Sequence, residues 1–195
     1  MISAALLACA VNVAPITLEA IVRVESKGNP AAIYVNGLGD HQPHPTTISE
    51  AARLTRIYVA QGYSVDLGLM QVNNRNLPAL GYSIEEVLDP CTNIKAGASI
   101  LTANYADATK SMGDGQGALK AALSAYNTGN FYHGFQNGYV AKYYGPSGVP
   151  ALAGGVQQAT ATAAEVKRTA PPPPTNPYTA GTQIYAREVS SVPID

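Results

Sequence analysis

The strongest constraint on this chain is a break in composition near Tyr144. Before it lie nearly all the leucines and isoleucines and both phenylalanines. After it come Gly145-Pro146-Ser147-Gly148, an Ala/Thr/Gly-rich stretch, Pro171-Pro172-Pro173-Pro174 and Asn176-Pro177. Eight of the 14 prolines fall in that final stretch, which is too poor in apolar side chains to offset the entropy of ordering it. The sequence therefore predicts one globular domain over residues 1–144 and a disordered tail over 145–195 with a stiff polyproline segment.

Within the globular part the apolar spacing is mostly helical. Leu18, Ile21 and Val22 form an i, i+3, i+4 stripe behind Ala14-Pro15, with Gly28 as a stop signal. Thr47-Ile48-Ser49-Glu50 reads as a capping box that opens a helix running to Gln61, and Ser83-Ile84-Glu85-Glu86 as a second box on a short helix ended by Asp89-Pro90. Ile94, Ala98, Leu101, Tyr105 and Ala108 continue the helical spacing, as do Leu119, Ala122, Leu123 and Tyr126. Only Tyr34-Val35 and residues 67–72 read as short strands.

Charge and composition exclude several classes. A net charge of −1 gives no electrostatic footprint for nucleic acid. No apolar run approaches the roughly 18–20 residues that span a bilayer. Two cysteines rule out a disulfide-dense scaffold and, with three scattered histidines, argue against a structural zinc site. His41-Gln42-Pro43-His44-Pro45 looks like a ligand pair, but its prolines and lack of a third donor indicate an exposed loop beside a groove. Tyr132, Tyr139, Tyr143 and Tyr144 suit either sugar stacking or half-buried packing.

Glu25 is the leading candidate for chemistry. It follows Leu18 by seven residues and Ile21 by four, so its carboxylate shares the apolar face. It also sits in the last turn, where the helix dipole is negative. Desolvation and dipole both disfavour the ionised form, which suits a general acid. Activity should then fall as pH rises through the Glu25 pKa. Periodicity alone leaves open a helix-end glutamate that turns to solvent or caps a loop.

Three blocks narrow the choice: Val24-Glu25-Ser26 with Gly28-Asn29-Pro30, Gly68-Leu69-Met70-Gln71-Val72-Asn73, and Ala125-Tyr126-Asn127-Thr128-Gly129. In this order they resemble the lytic transglycosylases with a soluble-transglycosylase, goose-lysozyme-like catalytic domain. Cys9-Ala10, Asn12-Val13-Ala14-Pro15, Ser64-Val65-Asp66-Leu67, Asn76-Leu77 and Asp89-Pro90-Cys91 are similar to the subgroup associated with type IV secretion and conjugation. The resemblance covers roughly residues 9–145 and implies a mainly α, lysozyme-like domain with minimal β structure.

By resemblance, Glu25 matches the catalytic acid and Ser26 helps orient it. Met70 and Gln71 match groove residues, with Gln71 bonding the sugar or its acetamido group and Asn73 a weaker candidate. Tyr126 matches the tyrosine at the catalytic carboxyl, and Asn127 a substrate contact. Core packing is the competing reading for Met70 and Tyr126. The implied partners are peptidoglycan glycan strands and subunits of a type IV secretion channel, with no cofactor, and the chain is expected to act as a monomer in the periplasm.

Glycosidic cleavage ordinarily uses two carboxylates. Here only Glu25 is well placed, and Asp66 reads as a solvated loop residue. A single carboxylate favours a route in which the acetamido group of N-acetylmuramic acid attacks its own anomeric carbon and the product closes as a 1,6-anhydro ring. A hydrolytic muramidase and a non-catalytic wall-binding assembly factor are the alternatives. Given the export that the resemblance implies, Cys9 and Cys91 would form a disulfide closing a loop of about 80 residues, worth about 4 kcal/mol. Leu6-Leu7-Ala8-Cys9 as a lipoprotein box, and residues 2–11 as a weak signal segment whose cleavage removes Cys9, remain open.

Overall fold

The computed structural model describes residues 2–144, so the tail predicted over 145–195 lies outside the described residues. The elements run α1 (Ala4–Leu7), α2 (Pro15–Glu25), β1 (Ile33–Val35), α3 (Ile48–Ala60), β2 (Val65–Leu67), β3 (Val72–Asn73), a 3-10 turn (Asn74–Asn76), α4 (Leu77–Leu80), α5 (Ile84–Leu88), α6 (Pro90–Met112), α7 (Gln116–Thr128), α8 (His133–Gln136) and α9 (Ala141–Tyr144). The domain is mainly α, as the sequence predicts.

Local chemistry sets the boundaries. Proline at the first position of α2 is tolerated because that N–H has no helical partner. Thr47 caps α3 by accepting the Glu50 amide at 3.1 Å. The Glu50 carboxylate reaches back one residue further than a standard box, to the Thr46 amide at 2.9 Å. Ser83 and Glu86 close a complete capping box on α5. Asp89 caps α6 through the Thr92 amide at 2.9 Å, and this bond holds its carboxyl below the usual range. The helix thereby starts at Pro90, two residues before the periodic stripe suggests.

The predicted strand over 67–72 is two strands with a turn between them. β1, β2 and β3 make an antiparallel sheet in that order, with Tyr34 opposite Asp66 and Asp66 opposite Asn73. The sheet is small, and every residue of β2 and β3 is buried. Gln42 clamps the open side of β1: its side-chain amide receives the Val35 N–H at 2.8 Å and donates to the Val35 carbonyl at 3.0 Å. His41 and His44 in this loop are exposed.

One core joins the sheet to α2, α5, α6 and α7. Leu18, Ile21 and Val22 are at most 1% exposed, each contributing about 1.5–3 kcal/mol by burial. Leu6, Leu7 and Cys9 pack onto the same core, and a disulfide joins Cys9 to Cys91 at the head of α6, with the α-carbons 5.5 Å apart. Among the described residues no helix is long and apolar enough to cross a membrane.

Candidate active site

The site forms where the C-terminus of α2 meets the turn Gly68–Gln71. Glu25 is the last residue of α2 and is half-buried. One cavity is lined by Glu25, Asp66, Gln71, Val72, Asn73, Asn76, Ile100, Tyr126 and Asn127. Glu25 and, from the other two blocks, Gln71, Asn73, Tyr126 and Asn127 thus meet at one place. The side chains of Ser26 and Met70 are outside this lining.

The turn that carries Gln71 is held from three helices. From the end of α2, the Ser26 hydroxyl lies 2.7 Å from the Leu69 carbonyl and 3.1 Å from that of Val22. From α6, the wholly buried Asn93 accepts the Met70 N–H at 2.8 Å and donates to the Leu67 and Val87 carbonyls at 2.9 and 2.8 Å. From α7, the Tyr126 hydroxyl donates to the Met70 carbonyl at 2.8 Å. Met70 itself is buried against Gly97, where an added Cβ would lie 2.7 Å from its Cβ and sulfur. Gly68 is required twice over: its φ is +71°, and a Cβ there would come within 2.4 Å of the Asn93 amide nitrogen.

Gln71 adopts φ +49°, a left-handed conformation that costs a non-glycine residue about 1–3 kcal/mol and clusters at functional sites. Its side-chain nitrogen donates to the Ala32 and Gly68 carbonyls at 3.1 and 2.9 Å, so the donor end of this amide braces the turn. Asn127 accepts from the Asn137 side chain at 3.0 Å. Asn73 donates to Asp66 at 2.8 Å.

Tyrosine 139 is the site residue that the three sequence blocks miss. Its hydroxyl donates a hydrogen bond to Glu25 Oε1. Tyr143 lies one turn on, its hydroxyl 2.8 Å from that of Tyr139, with the rings edge to face at 5.3 Å. Both are buried, at 2% and 0% exposure, which removes them as sugar-stacking surfaces and leaves Tyr132, at 61%, as the exposed one. Burial first, then the Glu25 and Tyr143 interactions, pushes the Tyr139 hydroxyl well above the ordinary tyrosine range. It stays a donor at any physiological pH. The only sequence signal for this pair is their i, i+4 spacing.

Asp66 corrects the expectation of a solvated loop residue. It lies in the central strand at 2% exposure, because both neighbouring strands and the helix layer cover β2. Asn36 and Asn73 donate to its two oxygens, at 3.2 and 2.8 Å. Asn36 also donates to Ser64, and turning its nitrogen toward these acceptors leaves its own buried Oδ1 without a partner. Such a group costs about 1–3 kcal/mol. Among the described residues no cluster of three or more His, Cys, Asp or Glu side chains is arranged to hold a metal ion.

A helical domain with a buried three-stranded sheet, a glutamate ending its first long helix and a braced Gly-Leu-Met-Gln turn defines a transglycosylase-type domain. The chain belongs to the transglycosylase SLT domain family, which matches residues 4–144. It is 42% identical over 134 residues to Protein virB1 of Agrobacterium fabrum, covering 69% of this chain and 54% of that protein. It is 45% identical over 129 residues to Type IV secretion system protein virB1 of Brucella abortus, covering 66% and 54%. The chain spans about half the length of the curated relatives it matches. No solved structure matches it.

Proposed function

We propose that this chain is a lytic transglycosylase that cleaves peptidoglycan glycan strands between N-acetylmuramic acid and N-acetylglucosamine, acts in the periplasm as a monomer, and opens the wall locally for a type IV secretion channel. The observation that carries the reading is Glu25, half-buried at the end of α2, bonded by Tyr139 and sharing a cavity with Gln71, Asn73, Tyr126 and Asn127. Similarity to the virB1 proteins supports the secretion setting.

In this reading Glu25 gives its proton to the leaving glycosidic oxygen. The acetamido carbonyl of the same muramic acid residue closes onto the anomeric carbon as the glycosidic bond breaks. Glu25, now a carboxylate, removes the proton of the C6 hydroxyl, whose oxygen displaces the acetamido oxygen and closes the 1,6-anhydro ring. The route consumes neither water nor a cofactor. Tyr139 fixes the plane of the carboxyl. Ser26 acts through the backbone, fastening the end of α2 to the turn, and Gln71, Asn73, Tyr126 and Asn127 line the cavity offered to the sugar, with Met70 packed beneath the turn.

A hydrolytic muramidase is the second reading, and buried Asp66 in the Glu25 cavity is what favours it, since two carboxylates suit hydrolysis. Mass spectrometry of products from purified wall separates the two: anhydro-muropeptides are expected, and reducing ends would replace the first reading by the second. Glu25→Gln should lower the rate about 10²–10⁴-fold. A variant that digests wall at the parental rate removes the catalytic assignment of Glu25, and a parent chain that binds wall without digesting it leaves wall binding as the activity.

A further inference from the structure

We propose that Tyr143 is a positioning residue for catalysis: its buried hydroxyl donates to that of Tyr139 and, through it, holds and strengthens the hydrogen bond that Tyr139 gives to Glu25. The inference deepens the transglycosylase reading and rests on Glu25 being its acid.

Three observations support it. A phenol carries a single hydrogen, and Tyr139 gives its own to Glu25 Oε1. In the 2.8 Å contact between the two hydroxyls Tyr143 is therefore the donor, and the bonds run in one direction, from Tyr143 to Tyr139 to Glu25. Both rings are buried and meet edge to face at 5.3 Å, so packing fixes the two hydroxyls against each other. A phenylalanine would fill the place of Tyr143 with the same shape, and a hydroxyl is costly to bury, yet this one is turned onto the neighbour of the acid.

The chemical effect follows from where charge appears. As Glu25 gives up its proton, negative charge develops on its carboxyl. A donor aimed at Oε1 binds more strongly as that charge grows, so it lowers the barrier more than it tightens ground-state binding. Tyr139 is the better donor when its own oxygen accepts a bond, because hydrogen bonds in series polarise one another. No proton travels along the pair, since burial and its neighbours hold the Tyr139 hydroxyl well above the ordinary tyrosine range. The other titratable groups on the Glu25 cavity are Asp66 from β2 and Tyr126 from α7, while α6 and the 3-10 turn present Ile100 and Asn76. Lys142 lies over the Tyr139 ring, 5.5 Å from its centre. Removing the Tyr143 hydroxyl changes none of these groups.

The test compares the full chain with Tyr143→Phe, Tyr139→Phe and the double variant, with rates on purified peptidoglycan measured across pH. Tyr143→Phe should lower kcat about three- to fivefold with KM changed less than about twofold. The alkaline fall in kcat should move up by about half a pH unit, because the carboxylate form of Glu25 has lost part of its support. The double variant should be no slower than Tyr139→Phe alone, since Tyr143 then has nothing to act through. A role in packing alone gives additive losses and an unmoved pH profile. Should Tyr143→Phe not fold, Tyr143→3-fluorotyrosine carries the test: it keeps ring and hydroxyl, makes the hydroxyl a stronger donor, and should move the alkaline fall to lower pH. Parental kcat in Tyr143→Phe, additive losses in the double variant, or an alkaline fall that neither substitution at Tyr143 moves overturns the inference while the transglycosylase reading stands. Glu25→Gln cutting wall at the parental rate overturns the reading beneath it instead.

Discussion

At the scale of single residues, the site is a glutamate whose hydrogen-bond partner comes from 114 positions away. The folded chain favours neutral Tyr139, because its pKa stands well above the ordinary range. That contribution to stability is complete below about pH 10, the unfolded tyrosine value, and is lost as pH rises toward the raised folded value. Tyr139→Phe should therefore flatten the alkaline fall in thermal midpoint, measured by circular dichroism at pH steps on either side of 10. In the proposed reading it should also reduce wall-cleaving turnover about tenfold, the weight of one hydrogen bond. For Glu25, spacing from Leu18 and Ile21 set it on the apolar face of its helix but left a turn to solvent open, and the three-block resemblance is what singled it out. Tyr139 was not legible, since several tyrosines share its composition and only tertiary packing decides which is buried. Asp66 was misread for a related reason: a lone acid between Val65 and Leu67 looks solvated, and its two amide partners lie 30 residues before it and seven after.

At the scale of elements, helix ends were the most readable features because capping is local. The box at Ser83 and the caps at Thr47 and Asp89 all involve neighbours within three residues. The turn Gly68–Gln71 was readable only as a motif, because what shapes it arrives from α2, α6 and α7. Gly68→Ala tests this. The new methyl meets Asn93 in a left-handed backbone, so the variant should lose about 2–4 kcal/mol in chemical denaturation. An unchanged denaturation midpoint would mean that Asn93 moves aside freely. The expected strand over 67–72 failed at the same place, since periodicity cannot register a reversal of the chain within the four residues Gly68–Gln71.

At the scale of the whole molecule, the N-terminal arm is tied to the longest helix by Cys9–Cys91, across 82 positions of sequence. Chain-entropy reasoning assigns such a bridge about 4 kcal/mol. Reduction, or Cys91→Ser with Cys9→Ser, should lower the denaturation free energy by up to that amount; no shift under reducing conditions would show the arm to be held by packing alone. The sequence left the bridge open against a cleaved leader or a lipid anchor, because two cysteines carry no distance information. The boundary near Tyr144 is an expectation from composition, and the family match runs over residues 4–144.

The braced turn has a consequence for how such a domain fails. The Leu69 and Met70 carbonyls and the Met70 amide are each claimed from a different helix, so a shift of α2, α6 or α7 against the others pulls on the turn that carries Gln71. A substitution that loosens the packing of α2, α6 or α7 should therefore displace Gln71 through this turn.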